Sequence, residues 1–205
     1  GKPIVHRIVE DIARVCPEKI ESVNFVIARH FGQDVEDQLV EIAKKVGAEG
    51  HIFYQDQALG TAHAVHCAAP AMDGPVIVAF ADTLFKANFT LDVNQDGIIW
   101  VQKVADPSAY GVVQVNAYNT ITGFVEKPTT PVSDLAIIGI YYFKEGQALK
   151  NQLDHLIQAG IMVKGEYQLT DALDNMRQEG MVFKPGEVEE WLDCGNKDAA
   201  VMANQ

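Results

Sequence analysis

The sequence predicts an α/β fold with a mixed, mainly parallel central sheet. Residues 75–82 (PVIVAFAD) form an unbroken apolar run that ends in a carboxylate, which is typical of a central strand covered by helices on both faces. Before this run, short β-rich stretches alternate with amphipathic helices, which predicts parallel βα units with right-handed crossovers. After it, residues 98–125 contain short strands and polar turns without a helix, which predicts an antiparallel patch on the sheet.

Length and charge narrow the class of protein. The 205 residues are enough for one sizeable α/β domain, so we expect residues 1–205 to form a single domain. The chain has 28 acidic and 16 basic side chains, a formal net charge of −12 and no Lys/Arg-rich run, which argues against nucleic-acid binding. A phosphorylated substrate would need local neutralisation, and a divalent cation held by carboxylates is the natural candidate.

The cysteines and the apolar stretches indicate the compartment. Cys16, Cys67 and Cys194 are widely spaced and form no CxxC pair, which is typical of reduced thiols in a cytosolic protein. No stretch reaches transmembrane length, and the amino terminus lacks the pattern of a signal peptide. We therefore expect a cytoplasmic protein that does not bind a membrane.

The first part of the chain is predicted to be a helix followed by two βα units. Apolar residues define one face of the first helix: Val5, Ile8, Val9, Ile12 and Cys16. Residues 22–28 and 51–55 are β-rich runs, and a second amphipathic helix between them ends near Gly47. No strand precedes the first helix, which suggests that an initial strand is missing.

A glycine turn follows the second of these strands. Gly60 would let a ligand approach the backbone, and the free N–H groups at the start of the next helix could bind an anion or the edge of a base. The alternative is an ordinary βα turn. A single glycine favours this alternative because short turns that contain glycine are common. His63 and His66 could face a metal together, but packing or solvent exposure is the better-supported alternative because no third ligand is in view.

Several polar residues lie at the ends of the later strands, and one glycine interrupts a strand. Asp82 lies at the carboxyl edge of the sheet, where open α/β sheets bind ligands, although an Asp that starts a turn is the alternative. Glu126 and Lys127 end another strand, with a surface ion pair as the alternative. Gly139 interrupts a buried run and permits a close approach to its backbone. A short strand that begins at Glu190 delivers Asp193, a second isolated carboxylate.

Two more helices and a closing one complete the prediction. Leucines and a methionine at helical spacing mark two helices: Leu149, Leu153 and Leu156 in the first, and Leu169, Leu173 and Met176 in the second. A closing helix is expected to begin near Asn196.

Eight short motifs in order carry a family resemblance. They are GKPIV, YQDQALGTAHAV, VAFADTLF, DPSAYGVV, GFVEKP, AIIGIYYF, GEYQLTDAL and EWLDCG. Each is weak alone, but together they span nearly the whole chain. The chain resembles the sugar-1-phosphate nucleotidyltransferases, and most closely the glucose-1-phosphate thymidylyltransferase and uridylyltransferase branch.

The resemblance implies a fold, a reaction and a metal. The fold would be a three-layer α/β/α, Rossmann-like domain of the glycosyltransferase-A type. In the reaction, a sugar-1-phosphate oxygen attacks the α-phosphorus of a nucleoside triphosphate (dTTP or UTP), and pyrophosphate leaves. Asp82 and Asp193 match the two carboxylates that hold Mg²⁺, an ion that takes one or two carboxylates together with phosphate and water oxygens. Lys127 completes the implied catalytic set as the positive charge that holds the sugar phosphate.

The resemblance also implies which residues bind the nucleotide and the sugar. Gln55, Gly60 and Thr61 fall at the nucleotide-binding positions. The sugar-binding positions correspond to Tyr110, Gly111, Glu126, Lys127, Gly139 and Glu166. A homo-oligomer is compatible with this family.

The sequence also departs from the family pattern. The family begins with a strand, a Gly-rich loop carrying an Arg, and a Lys-Pro element, and these are absent, so we expect a truncated domain. Lys2 belongs to a later motif and is not the catalytic lysine. Ala81 stands where the family commonly has Gly.

Two other classes of function stay open. The first is a non-catalytic domain that binds sugar nucleotides and has lost the triphosphate loop. The second is a glycosyltransferase, which would be expected to show a D-x-D motif, whereas Thr83 and Leu84 follow Asp82.

Overall fold

Residues 1–86 and 90–194 are described by a computed structural model. The helices are α1 (Ile4–Val15), α2 (Gln33–Lys45), α3 (Thr61–His66), α4 (Gly146–Gln158) and α5 (Leu169–Gln178). The strands are β1 (Ser22–Ile27), β2 (Glu49–Tyr54), β3 (Val76–Ala79), β4 (Thr83–Lys86), β5 (Gly97–Lys103), β6 (Gly111–Val115), β7 (Ile121–Glu126), β8 (Leu135–Phe143), β9 (Phe183–Glu187) and β10 (Glu190–Asp193). The helix expected near Asn196 lies outside the described residues.

The larger sheet is built around β8. It has six strands, and β5 pairs along one side of β8. On the other side, β3 pairs with residues 140–143 and β6 pairs at Ala136, so two strands share one edge of β8 with Gly139 between them. The pairings make β3, β5, β6 and β9 run in one direction and β7 and β8 in the other. The predicted mixed sheet is confirmed, and four of its six described strands share one direction, although β5 and β9 are the one pair of neighbours that is parallel.

Two smaller sheets lie beside it. β1 and β2 are parallel, as predicted for successive βα units, and within the described ranges they pair with each other alone. β4 and β10 form an antiparallel pair. The sequence patterns predicted neither β4 nor β9. The run FKPGE of β9 contains Pro185 and Gly186 and shows no alternation, so only its pairing with β5 identifies it as a strand.

The prediction for residues 75–82 was only partly right. The strand there, β3, covers four residues that are half-buried. The Phe80 N–H still bonds to the Gly139 carbonyl of β8 at 2.9 Å, and the strand ends where the Thr83 N–H bonds back to the Phe80 carbonyl at 3.3 Å, which closes a turn. The central buried strand is β8, which has nine residues.

Alternating side chains of the large sheet supply two cores, which makes a three-layer fold. Ile99 and Val101 face α3, α4 and α5, whereas Ile98 and Trp100 face the side on which α1 packs. A third cluster, around Phe25, fills the space between α1, α2 and the β1–β2 pair. None of the described helices is long and apolar enough to cross a membrane.

Candidate functional site

Asp82 and Asp193 are brought together by the β4–β10 pair. Thr83 is the register partner of Asp193, and the Cys194 N–H donates to the Asp82 carbonyl over 2.6 Å. The two acidic residues, far apart in sequence, therefore occupy adjacent backbone positions at one end of the small sheet. Asp82 is exposed and Asp193 is half-buried, so at least one carboxylate is open to solvent.

The Asp82 turn is anchored to β8 by Thr83. This side chain is buried, and its hydroxyl donates to the Ile138 carbonyl at 2.7 Å. The same hydroxyl lies 3.4 Å from Asp82 Oδ1. Gly139 has φ +97°, and a methyl group there would lie 3.0 Å from Thr83 Oγ1. Gly139 therefore lets the Asp82 turn pack closely against β8.

The two carboxylates fit a magnesium ion that shares its coordination with a phosphate. Carboxylate oxygens are suitable ligands, and Mg²⁺ is commonly held by one or two of them with the substrate's phosphate oxygens. Within residues 1–86 and 90–194, no group of three or more His, Cys, Asp or Glu side chains could hold a metal by itself. A cation bound at this pair would therefore depend on further oxygens from water or from a ligand.

Tyr110 connects the carboxylate pair to the end of β7. Its hydroxyl lies 3.4 Å from Asp193 Oδ2, and its ring packs edge-on against Trp191 with the centroids 5.3 Å apart. Burial, followed by the charge of Asp193, raises the pKa of Tyr110, so the phenol stays a hydrogen-bond donor. Its backbone carbonyl accepts a 3.0 Å hydrogen bond from the Lys127 N–H.

Glu126 occupies a half-buried position beside β6. Burial raises the pKa of its carboxyl, while the Thr170 hydroxyl, which donates to Oε2 at 3.1 Å, and the charge of Lys127 lower it. A methyl group on Gly111 would lie 2.9 Å from the same Oε2. Gly111 therefore leaves room for the carboxylate, and the next residue, Lys127, is exposed with a φ of +43°.

Glu166 lies near this carboxylate on a tight turn. Val163 and Glu166 exchange backbone hydrogen bonds of 2.9 and 3.1 Å, and both residues between them have positive φ. Glu166 is exposed, and its charge is among the causes that raise the pKa of Glu126. Glu166 lies four residues before Thr170, whose hydroxyl donates to Glu126.

The predicted nucleotide-binding residues form a separate group at the start of α3. The Gln55 amide nitrogen lies 3.4 Å from the Gly60 carbonyl, and the Thr61 hydroxyl accepts a 2.9 Å hydrogen bond from the Leu169 N–H. Gly60 has φ +104°, and a methyl group on it would overlap the Tyr167 carbonyl. The close approach that this glycine permits is therefore made by the chain's own backbone.

The two histidines of α3 contact different residues. His63 Nδ1 lies 3.0 Å from the Gln55 amide nitrogen, whereas His66 Nε2 lies 2.8 Å from Asp154 Oδ1 on α4. They therefore do not form a common metal site.

One segment, residues 166–171, joins the predicted sugar-binding group to the predicted nucleotide-binding group. Its Tyr167 backbone bonds to Leu59 at 2.7 Å and to Ala62 at 3.0 Å, and Leu169 bonds to Thr61. Thr170 then reaches Glu126. This arrangement fixes the position of α3 relative to β7.

The residue patterns missed three side chains that shape the site: Thr83, Tyr141 and Thr170. Tyr141 is buried, and its pKa is raised by burial and then by the charges of Glu126 and Asp82. Thr170 stands in the quoted GEYQLTDAL motif, but its contact with Glu126 spans distant parts of the chain. Periodicity could not have shown such contacts.

Comparison with known proteins agrees with the geometry. The family model described as "Nucleotidyl transferase" matches residues 1–205, and the chain belongs to this family. Over its whole length the chain is 27% identical to the Low-salt glycan biosynthesis nucleotidyltransferase Agl11 and 26% identical to the UTP–glucose-1-phosphate uridylyltransferase AglF, both of Haloferax volcanii, covering 57% and 84% of those proteins. The sugar nucleotidyltransferase resemblance is thereby confirmed.

A solved structure shows the same fold. The crystal structure of a UDP-glucose pyrophosphorylase complexed with UDP-glucose superposes with a TM-score of 0.76 at 22% identity, covering 98% of this chain and 85% of that one. Several curated relatives are longer, and the chain spans 57% and 46% of the length of two of them.

We predict that Thr170→Val raises the pKa of Glu126 further, because the lost hydroxyl stabilises the charged carboxylate. Carbon-13 NMR titration of the glutamate carboxyl groups measures this shift. Thr170→Ser, which keeps the hydroxyl, is the matched control and should leave the titration close to that of the wild type. An unchanged Glu126 titration in Thr170→Val would show that the hydrogen bond does not form.

Proposed function

We propose that this chain is the nucleotidyltransferase domain of an enzyme that joins a nucleotidyl group from dTTP or UTP to a sugar-1-phosphate. Glucose-1-phosphate is the leading acceptor, and the products are a nucleotide sugar and pyrophosphate. The observation that carries the proposal is the β4–β10 pairing, which sets Asp82 beside Asp193 and next to Tyr110. The relative named as a UTP–glucose-1-phosphate uridylyltransferase supports the choice of substrates.

The chemistry needs alignment and charge compensation more than a covalent intermediate. A phosphate oxygen of the sugar-1-phosphate forms a new bond to the α-phosphorus, and the bond from that phosphorus to the pyrophosphate oxygen breaks. Lys127, exposed at the end of β7, would pair with the sugar phosphate as a point charge. This positive charge matters because the chain carries a net charge of −12.

The sugar would lie between β6 and the residue 163–166 turn. Glu126 would accept hydrogen bonds from sugar hydroxyls, and Glu166 would approach the same sugar from the turn. Tyr110 and Gly111 would form one wall, and Gly139 would allow close contact at β8. Burial of Glu126 strengthens such hydrogen bonds because the local dielectric constant is low.

Asp82 and Asp193 would hold Mg²⁺, which when bound neutralises phosphate charge and orients the in-line displacement. Tyr110 would help to orient Asp193 through the 3.4 Å contact of its hydroxyl. Gln55, Gly60 and Thr61 would bind the nucleotide at the start of α3.

The protein would work in the cytoplasm, where its three free cysteines stay reduced, and a homo-oligomer is compatible with the proposal.

Pyrophosphate release is the direct test of this function. We would assay the full-length protein of the natural gene and the 205-residue chain with Mg²⁺ over a panel of nucleoside triphosphates crossed with sugar-1-phosphates. The expected result is turnover by the full-length protein, highest with UTP or dTTP and glucose-1-phosphate. Binding of nucleotide sugars without turnover by either protein would contradict the proposal and favour a non-catalytic binding domain.

We predict that Asp193→Asn in the full-length protein lowers the Mg²⁺-dependent turnover number by at least about a hundredfold, because loss of transition-state charge stabilisation has effects of this size. Steady-state kinetics and a thermal melt measure activity and folding together. Glu190→Gln is the matched control on the same strand, since Glu190 is exposed and its ion pair with Lys86, at 3.6 Å, lies at the surface. Normal activity of Asp193→Asn would remove Asp193 from the metal site.

Lys127→Ala should chiefly raise the Michaelis constant for the sugar-1-phosphate, because a point charge on its phosphate is lost. We expect a rise of about tenfold or more, in line with a charge-assisted hydrogen bond of about 1.5–3 kcal/mol. The matched control is Lys103→Ala, which removes an exposed lysine at the end of β5. An unchanged Michaelis constant in Lys127→Ala would reject this role.

A further inference from the structure

The carboxamide of Gln55 contacts the rest of the protein through its nitrogen, Nε2. Its Nε2 lies 3.0 Å from His63 Nδ1 and 3.4 Å from the Gly60 carbonyl oxygen. Neither contact uses Oε1. In this orientation the NH₂ group of the amide is directed toward the protein, and neither of these two contacts engages the oxygen.

The Gly60 carbonyl decides which end of the amide faces inward. A carbonyl oxygen can only accept, so the NH₂ group of Gln55 must be the group directed toward Gly60. His63 Nδ1 can accept from the same NH₂ group only when that nitrogen carries no proton. Burial, with a smaller contribution from the charge of His66, lowers the pKa of His63 and keeps the ring neutral near pH 7.

The ring of His63 is itself held in place. It stacks on Tyr167 with centroids 6.5 Å apart and an interplanar angle of 23°, and Cys67 Sγ lies 4.0 Å from Nδ1. The Tyr167 backbone is bonded to Leu59 and Ala62 on both sides of Gly60. The imidazole is therefore positioned by the same segment that binds the start of α3.

We propose that His63 is a positioning residue that fixes the amide of Gln55 with its oxygen toward the nucleotide, and that this orientation selects uracil or thymine over cytosine. The inference rests on the proposed function, in which Gln55 contacts the base. Uracil and thymine carry an N3–H that donates to a carboxamide oxygen. Cytosine has a lone pair at N3, which would face the lone pairs of Oε1. The reversed amide would favour cytosine at that position.

The matched variants of the full-length protein are His63→Leu, His63→Asn and His66→Leu. His63→Leu removes the acceptor and frees the amide to rotate, whereas His63→Asn keeps an acceptor oxygen near the position of Nδ1. His66→Leu alters the neighbouring histidine of α3, which contacts Asp154 and not Gln55. The readouts are the ratio of kcat/KM for UTP to that for CTP and the dissociation constants of both nucleotides.

We expect the wild type to prefer UTP, and His63→Leu to lower the UTP/CTP ratio about 3- to 10-fold, as expected for one net hydrogen bond. His63→Asn should retain most of the preference, and His66→Leu should keep the full wild-type ratio. An equal loss of activity with both nucleotides in His63→Leu, or an unchanged ratio, would overturn the positioning role. A wild type that binds neither UTP nor dTTP would overturn the proposed function, and the base selection with it.

Discussion

The site depends on how two strands share one edge of β8. β3 pairs with the second half of β8 and β6 pairs with its first half, so the carboxyl end of β3 and the amino end of β6 lie on either side of Gly139. The turn that carries Asp82 follows β3, and Tyr110 directly precedes β6. Asp82 and Tyr110 are therefore brought to the same stretch of β8, and the carboxyl end of a strand such as β3 is where open α/β sheets bind ligands.

The second constraint is the segment of residues 166–171. It bonds to both ends of the Gly60 turn and to Glu126, so it couples the region assigned to the nucleotide with the region assigned to the sugar. A displacement of this segment would disturb both groups at once. Such rigid support suits a reaction in which two substrates must be aligned within a fraction of an ångström.

Much of the fold follows from local patterns, but the site does not. Periodicity predicted the helices and most strands because their apolar faces repeat at helical or strand spacing. It overextended β3, which ends where the Thr83 N–H closes a turn on the Phe80 carbonyl, and it missed β9, whose Pro185 and Gly186 break the alternation. Family motifs suggested Asp82 and Asp193 as a pair. The contacts of Thr170 with Glu126 and of Tyr167 with Gly60 join distant segments, so no local pattern contains them.

The most direct test of the account is a crystal structure of the full-length protein with Mg²⁺ and a uridine nucleotide sugar. The account predicts metal density coordinated by Asp82 and Asp193, with the sugar beside Glu126 and the uracil N3 facing Gln55 Oε1. A nucleotide sugar bound elsewhere, or a metal that contacts neither aspartate, would contradict it.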